Sequence, residues 1–189
     1  MRRQSAAGRA MLASCLLAAG SRASFAQAPA PEDPWRPVRS LVGDWVGEAE
    51  GEPGKGSVQR SYRFVLGGKF LHEQNVSTYP SQPKNPKGEV HEHWSLLSYD
   101  RARKTIVFRQ FHQEGFVNQY RMLSGAQPHV VVFETEALEN LPSGWKARET
   151  YDFVSPDAFV ETFELAAPGA EYEVYSRNRF KRVGAADPR

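Results

Sequence analysis

The chain contains a single cysteine, no apolar run long enough for a membrane helix, and no segment that holds a helical period beyond a turn or two. Each lack excludes something. Cys15 sits near the N-terminus, so residues 29–189 carry no disulfide and must be held together by their own core. Met11–Ala19 is too short to span a bilayer, and no stable membrane insertion is expected from it. No serine or threonine stands in a nucleophile elbow, and no second cysteine exists to act instead, so covalent catalysis has no candidate. No internal repeat suggests a propeller.

The start of the chain reads as a leader. Arg2, Arg3 and Arg9 precede the apolar stretch, and small residues lead to Ala26-Gln27-Ala28, an A-x-A cleavage pattern. Residues 1–28 are therefore expected to be a cleaved signal, and the protein to be periplasmic or secreted. Leu12-Ala13-Ser14-Cys15 has the form of a lipobox, but Leu16 to Ala19 carry the apolar run past the cysteine that should end it. Arg2-Arg3 hints at twin-arginine export, without the hydrophobic residues that usually follow such a pair. The leader holds four arginines and no acid, so its removal turns a formal charge of +2 into −2. Nucleic-acid binding thereby loses its main support.

What remains is β-patterned. A Pro-rich lead-in, 29–37, is followed by Val38, Leu41 and Val42 at helical spacing, enough for a short turn. From there the period is two. Strands are expected near 44–50, 57–66, 69–79, 89–99, 104–112, 115–123, 128–136, 145–154, 158–165 and 171–182. Turn chemistry separates them, for example Pro53-Gly54, Gly67-Gly68 and Pro168-Gly169. Ten strands joined by short turns predict an all-β, antiparallel up-and-down barrel over residues 38–182, with a short tail at 183–189.

Strands joined by short turns must share a face, so parity assigns the interior. Starting from Phe116, Asn118 and Tyr120, pairing backward predicts Val107, Arg109 and Phe111, then Trp94 and Leu96, then Phe70, His72 and Gln74. Pairing forward predicts Val131 and Phe133, then Trp145, Ala147, Glu149 and Tyr151, then Phe159, Glu161 and Phe163, then Val174, Ser176 and Asn178. The predicted site is thus His72, Trp94, Arg109, Asn118, Tyr120, Glu149, Tyr151, Glu161 and Asn178.

Charged side chains are rarely buried alone. Two readings accommodate Arg109, Glu149 and Glu161 inside a barrel: a paired structural network, or a wet cavity in which they orient a small amphipathic or acidic ligand, with Arg109 as the anion anchor. Glu149 and Glu161, on neighbouring strands, also have the makings of a carboxylate acid/base pair, but nothing else supports hydrolysis. His91 and His93 sit at i and i+2, and two hairpins bring His112 near them. The same parity puts all three on the outer face beside Ile106, Phe108 and Gln110, where exposed histidines covering an apolar patch are the plain expectation and no metal is expected.

Leu41-Val42-Gly43-Asp44-Trp45-Val46-Gly47-Glu48 resembles the Gly-x-Trp opening of the calycin superfamily. With ten strands ending in Arg179-Phe180-Lys181, the chain is similar to nitrobindin-type haem-binding barrels over roughly 38–182. The resemblance implies a Trp45 that closes the barrel bottom under a last-strand arginine, Arg177 or Arg179. It also implies haem chemistry on nitrogen oxides through a last-strand histidine. Tyr175-Ser176-Arg177-Asn178-Arg179-Phe180 contains none, so haem would need another ligand such as His72.

Overall fold

The computed structural model describes residues 32–123 and 127–184. The expected leader, residues 1–28, lies outside the described residues, as do residues 185–189. Ten antiparallel strands follow a 3-10 turn at Arg39–Leu41. They are β1 (Gly43–Gly51), β2 (Gly54–Val65), β3 (Phe70–Tyr79), β4 (Glu89–Asp100), β5 (Thr105–His112), β6 (Val117–Leu123), β7 (Val130–Glu139), β8 (Lys146–Ser155), β9 (Ala158–Ala166) and β10 (Glu173–Arg182). Each pairs with its sequence neighbours, and β1 pairs with β10, closing the barrel. Closure leaves no free edge strand.

One end of the barrel is solid. Trp45 is fully buried and its indole Nε1 donates to the Leu41 carbonyl at 2.7 Å. Phe159 packs edge-on against Trp45 and stacks on Phe180, with centroids at 4.7 and 4.5 Å. Phe108, Tyr120, Phe133 and Tyr151 extend this packing upward. Each such burial contributes roughly 1.5–3 kcal/mol. The arginine under the tryptophan is Arg182, three residues beyond Arg179 of the expected pair: its guanidinium lies 4.2 Å from the Trp45 ring centroid. It donates to the carbonyls of Val42 (2.7 Å), Ser40 (2.9 Å) and Pro156 (3.0 Å). Arg177 and Arg179 point outward instead, as their odd numbering on β10 requires when Ser176, Asn178 and Phe180 are buried.

The seam strands approach closely at Gly47. A Cβ there would stand 2.7 Å from the Arg179 carbonyl oxygen and 3.1 Å from the Phe180 ring. Only glycine fits.

The forward half of the parity assignment agrees with the structure. Asn118, Tyr120, Phe133, Ala147, Glu149, Tyr151, Phe159, Glu161, Ser176 and Asn178 all face inward and are buried. Val174 does not; a register shift between Val174 and Ser176 turns it out, and it is 46% exposed.

The backward half is inverted, and a single turn is responsible. Between β5 and β6 the loop is three residues, Gln113-Glu114-Gly115. His112 and Phe116 close it: the His112 N–H donates to the Phe116 carbonyl at 3.1 Å, and the Gly115 N–H to the His112 carbonyl at 2.9 Å. Gly115 takes the left-handed conformation that such a three-residue hairpin needs, with φ +88. Phe108 therefore pairs with Tyr120 and Gln110 with Asn118, rather than Arg109 and Phe111 facing inward. The error propagates through two correctly paired hairpins. Leu71, Glu73, Asn75, Ser77 and Tyr79 face inward on β3, and His93, Ser95 and Leu97 on β4. Phe70, His72, Gln74, Trp94, Leu96, Val107, Arg109 and Phe111 belong to the outer wall.

Candidate functional site

Above the aromatic floor, the barrel holds a cavity of about 560 Å³ that opens at the end opposite Trp45. That volume suits a small organic molecule. The mouth is ringed by turns and strand ends, with Pro53, Phe116, Leu138, Leu141, Trp145 and Tyr175 as its apolar rim. Deeper in, alternate residues of several strands supply polar groups, so the base of the cavity is a layer of hydrogen-bonding side chains resting on the aromatic core.

Arg60 of β2 organises that layer. It lies between Val58 and Tyr62 on the inward parity of its strand, and is 5% exposed. Its guanidinium grips Glu161 with both terminal nitrogens, Nη2 to Oε2 at 3.1 Å. Its Nε–H reaches Asn75 Oδ1 at 2.9 Å and Glu73 Oε1 at 3.0 Å. The Phe180 ring backs it, 4.6 Å from the guanidinium carbon. Asn178 donates to the second oxygen of Glu161 at 2.7 Å. Burial alone would weaken the charge on Arg60, but Glu161, Tyr62 and Glu73 outweigh it and hold the guanidinium protonated. Burial would likewise raise Glu73, yet Arg60 and His93 bring its carboxyl down to about 2.

Glu149 is the acid without a cation of its own. Burial, then the charge of Glu161 and that of Glu73, push it up to about 8, although the Tyr151 hydroxyl donates to its Oε2 at 2.6 Å and works the other way. At neutral pH it is a neutral acid that can donate a hydrogen bond. Both oxygens of Glu161 are taken by Arg60 and Asn178, which leaves it unavailable as the base of a carboxylate pair with Glu149.

The structure therefore brings together Asn118, Tyr120, Glu149, Tyr151, Glu161 and Asn178 of the expected set. It places the other three on the outer wall. Arg109 donates to Gln119 Oε1 at 3.0 Å across the outer face. His72 and Trp94 meet edge-to-face outside, centroids 5.7 Å apart, and Trp94 is 58% exposed. None of the three reaches the cavity. The residues that sequence parity missed are Arg60, Glu73, Asn75, His93 and Gln110. Arg60 was legible from its flanking Val58 and Tyr62; the rest were hidden by the one turn.

The inversion also moves the histidines. His91, His93 and His112 line the cavity rather than the surface. One ring nitrogen of each lies within 4.8 Å of the other two. His112 stacks on Phe116 at 4.0 Å, and its ring is held neutral by burial and by the neighbouring His93 and His91.

Haem of the kind the resemblance implied does not fit this interior. The inward residues of β10 are Ser176, Asn178 and Phe180; none is a histidine, Asn178 is committed to Glu161, and Phe180 packs beneath Arg60. His72, the substitute ligand, points away.

Comparison with solved structures bears on the fold. The chain superposes on the crystal structure of Rv2717c from M. tuberculosis with a TM-score of 0.61, over 81% of this chain and 98% of that one, at 14% identity. The likeness is one of fold. No family model matches the chain, and no curated protein does. A closed ten-strand barrel is compatible with ligand binding, and such an architecture hosts many functions.

Proposed function

We propose that the protein is an exported barrel that binds a small amphipathic molecule, apolar part toward the mouth and hydrogen-bonding part on the polar base. One observation carries the reading: a single cavity joins an apolar rim, with Trp145 and Leu141 about 40% exposed, to a base where the buried acceptors Asn118 Oδ1 and Asn178 Oδ1 have no protein partner. Buried acceptors without partners are costly, and a ligand donor satisfies them. The same base disfavours an anionic ligand. Arg109, the expected anion anchor, is outside, and Arg60 already serves two carboxylates. The favoured ligand is accordingly neutral or cationic, with hydroxyl or amine donors at one end.

Organic extraction of purified, untagged protein followed by mass spectrometry tests this. The expected result is a near-stoichiometric amphiphile that is lost in Ala147→Phe, since Ala147 lines the cavity and a phenyl ring fills it. An extract with no stoichiometric molecule, from protein that also shows no thermal shift with a panel of long-chain alcohols and amines, would sink the proposal. Export is tested separately: N-terminal sequencing of mature protein from the periplasm or medium should begin at or near Pro29.

A further inference from the structure

The three histidines inside the barrel are more than neighbours. His91 and His93 are alternate residues of β4, and His112 ends β5 as the cross-strand partner of His93. Their ring centroids form a triangle with sides of 5.3 to 5.7 Å. Each ring has one nitrogen engaged from outside the triangle. His91 Nδ1 lies 2.9 Å from Glu114 Oε1, His93 Nε2 lies 3.3 Å from Glu73 Oε1, and His112 Nε2 lies 3.0 Å from Gln110 Oε1. Carboxylate and amide oxygens accept, so in the tautomers that serve these contacts the ring proton sits on those nitrogens, with the Gln110 and Asn118 amide nitrogens 3.3 Å from His93 Nε2 and His112 Nε2 as competing donors. The other nitrogen of each ring, His91 Nε2, His93 Nδ1 and His112 Nδ1, then carries a lone pair.

In these tautomers the lone pairs find no donor on the protein. His91 Nε2 and His112 Nδ1 face each other at 3.2 Å, where two lone pairs without a proton between them repel. His93 Nδ1 is buried with no hydrogen-bond partner. A tetrahedral metal with metal–nitrogen bonds of about 2.0–2.1 Å sets its ligand atoms about 3.3 Å apart, which is the spacing of the first pair. Ligating histidines held through the second nitrogen by carboxylates are the usual outer shell of such a site. Glu89 and Glu114 at the mouth add negative charge along the entry path.

We propose that His91, His93 and His112 bind one divalent transition-metal ion of the zinc class, with the fourth position open to the cavity. An all-nitrogen set selects zinc, copper, nickel or cobalt over calcium and magnesium. Three imidazoles plus an open position is the arrangement of metal sites that take an exogenous ligand. The site does not depend on which organic molecule occupies the cavity.

The test uses untagged, full-length mature protein, stripped with chelator and titrated with Zn²⁺ or Co²⁺ by calorimetry and visible absorption. One equivalent should bind, and Co²⁺ should give the intense visible bands of a four-coordinate site. His91→Ala and His112→Ala, both at partly exposed positions, should weaken binding at least 100-fold with an unchanged circular dichroism spectrum. Glu114→Gln should weaken it about tenfold. His72→Ala and His129→Ala, outside the triangle, should leave it unaltered. No stoichiometric uptake by folded wild-type protein overturns the proposal, as does uptake that survives the His91→Ala, His112→Ala double variant.

Discussion

Arg60 is buried with two carboxylates and one amide around it, and its contribution is best judged by what its loss leaves behind. Arg60→Met strands the charges of Glu161 and Glu73 in the barrel and should cost about 3–5 kcal/mol in denaturant unfolding. Adding Glu161→Gln should recover a large part of that, because the double variant buries one fewer unpaired charge; additive losses would show the two residues do not act as a unit. Arg109→Met, on the half-exposed outer wall, should change stability by no more than about 0.5 kcal/mol. Glu149 imposes a pH dependence of definite sign. Its folded-state value of about 8 lies above the ordinary 4.5, so the folded protein holds a proton that the unfolded chain has lost. Stability is then fullest below about pH 4.5 as far as this group is concerned, and it falls through pH 8 by an amount on the order of a few kcal/mol. Glu149→Gln, neutral at every pH, should flatten that fall in unfolding experiments across pH 5 to 8. The residues of this network were partly readable beforehand. Glu149, Tyr151 and Glu161 alternate with polar residues on strands whose outer faces are plainly charged, and that contrast fixes the face. Glu73 and Gln110 lie on strands whose two faces are both mixed, so composition gives no vote and the turn decides.

That turn shows how much an element can weigh. Strand existence at ten places was legible because β-branched and aromatic residues recur at period two between glycines and prolines. Face assignment needs a further fact, whether a loop has two residues or three, and Gln113-Glu114-Gly115 is consistent with either. Only the left-handed glycine at position 115 distinguishes them, and its conformation is invisible in composition. A two-residue loop there would turn β3, β4 and β5 inside out, and with them the histidine triangle. The conformation of Gly115 is also testable. A Cβ there meets no neighbour within 4 Å, so the cost of substitution is backbone strain alone. Gly115→Val should lower stability by about 1–2 kcal/mol, read from chemical denaturation; an unchanged midpoint would mean the loop tolerates another turn type and the face assignment of the hairpin is soft.

At the scale of the whole molecule, the barrel is a vessel with one stoppered end. The 3-10 turn, Trp45 and Arg182 form the stopper, and every polar group of the cavity stands between it and the mouth. The stopper joins residues from opposite ends of the barrel sequence: Arg182 donates to Val42 and Ser40, some 140 positions earlier. Chain order then sets a timetable. While the polypeptide is being made, β1 has β2 for company but no β10, and the indole of Trp45 has no lid. The vessel cannot be sealed until β10 has been made and has paired with β1, and only that pairing separates the interior from water. Before that pairing the cavity has no complete wall, so nothing can be retained inside it.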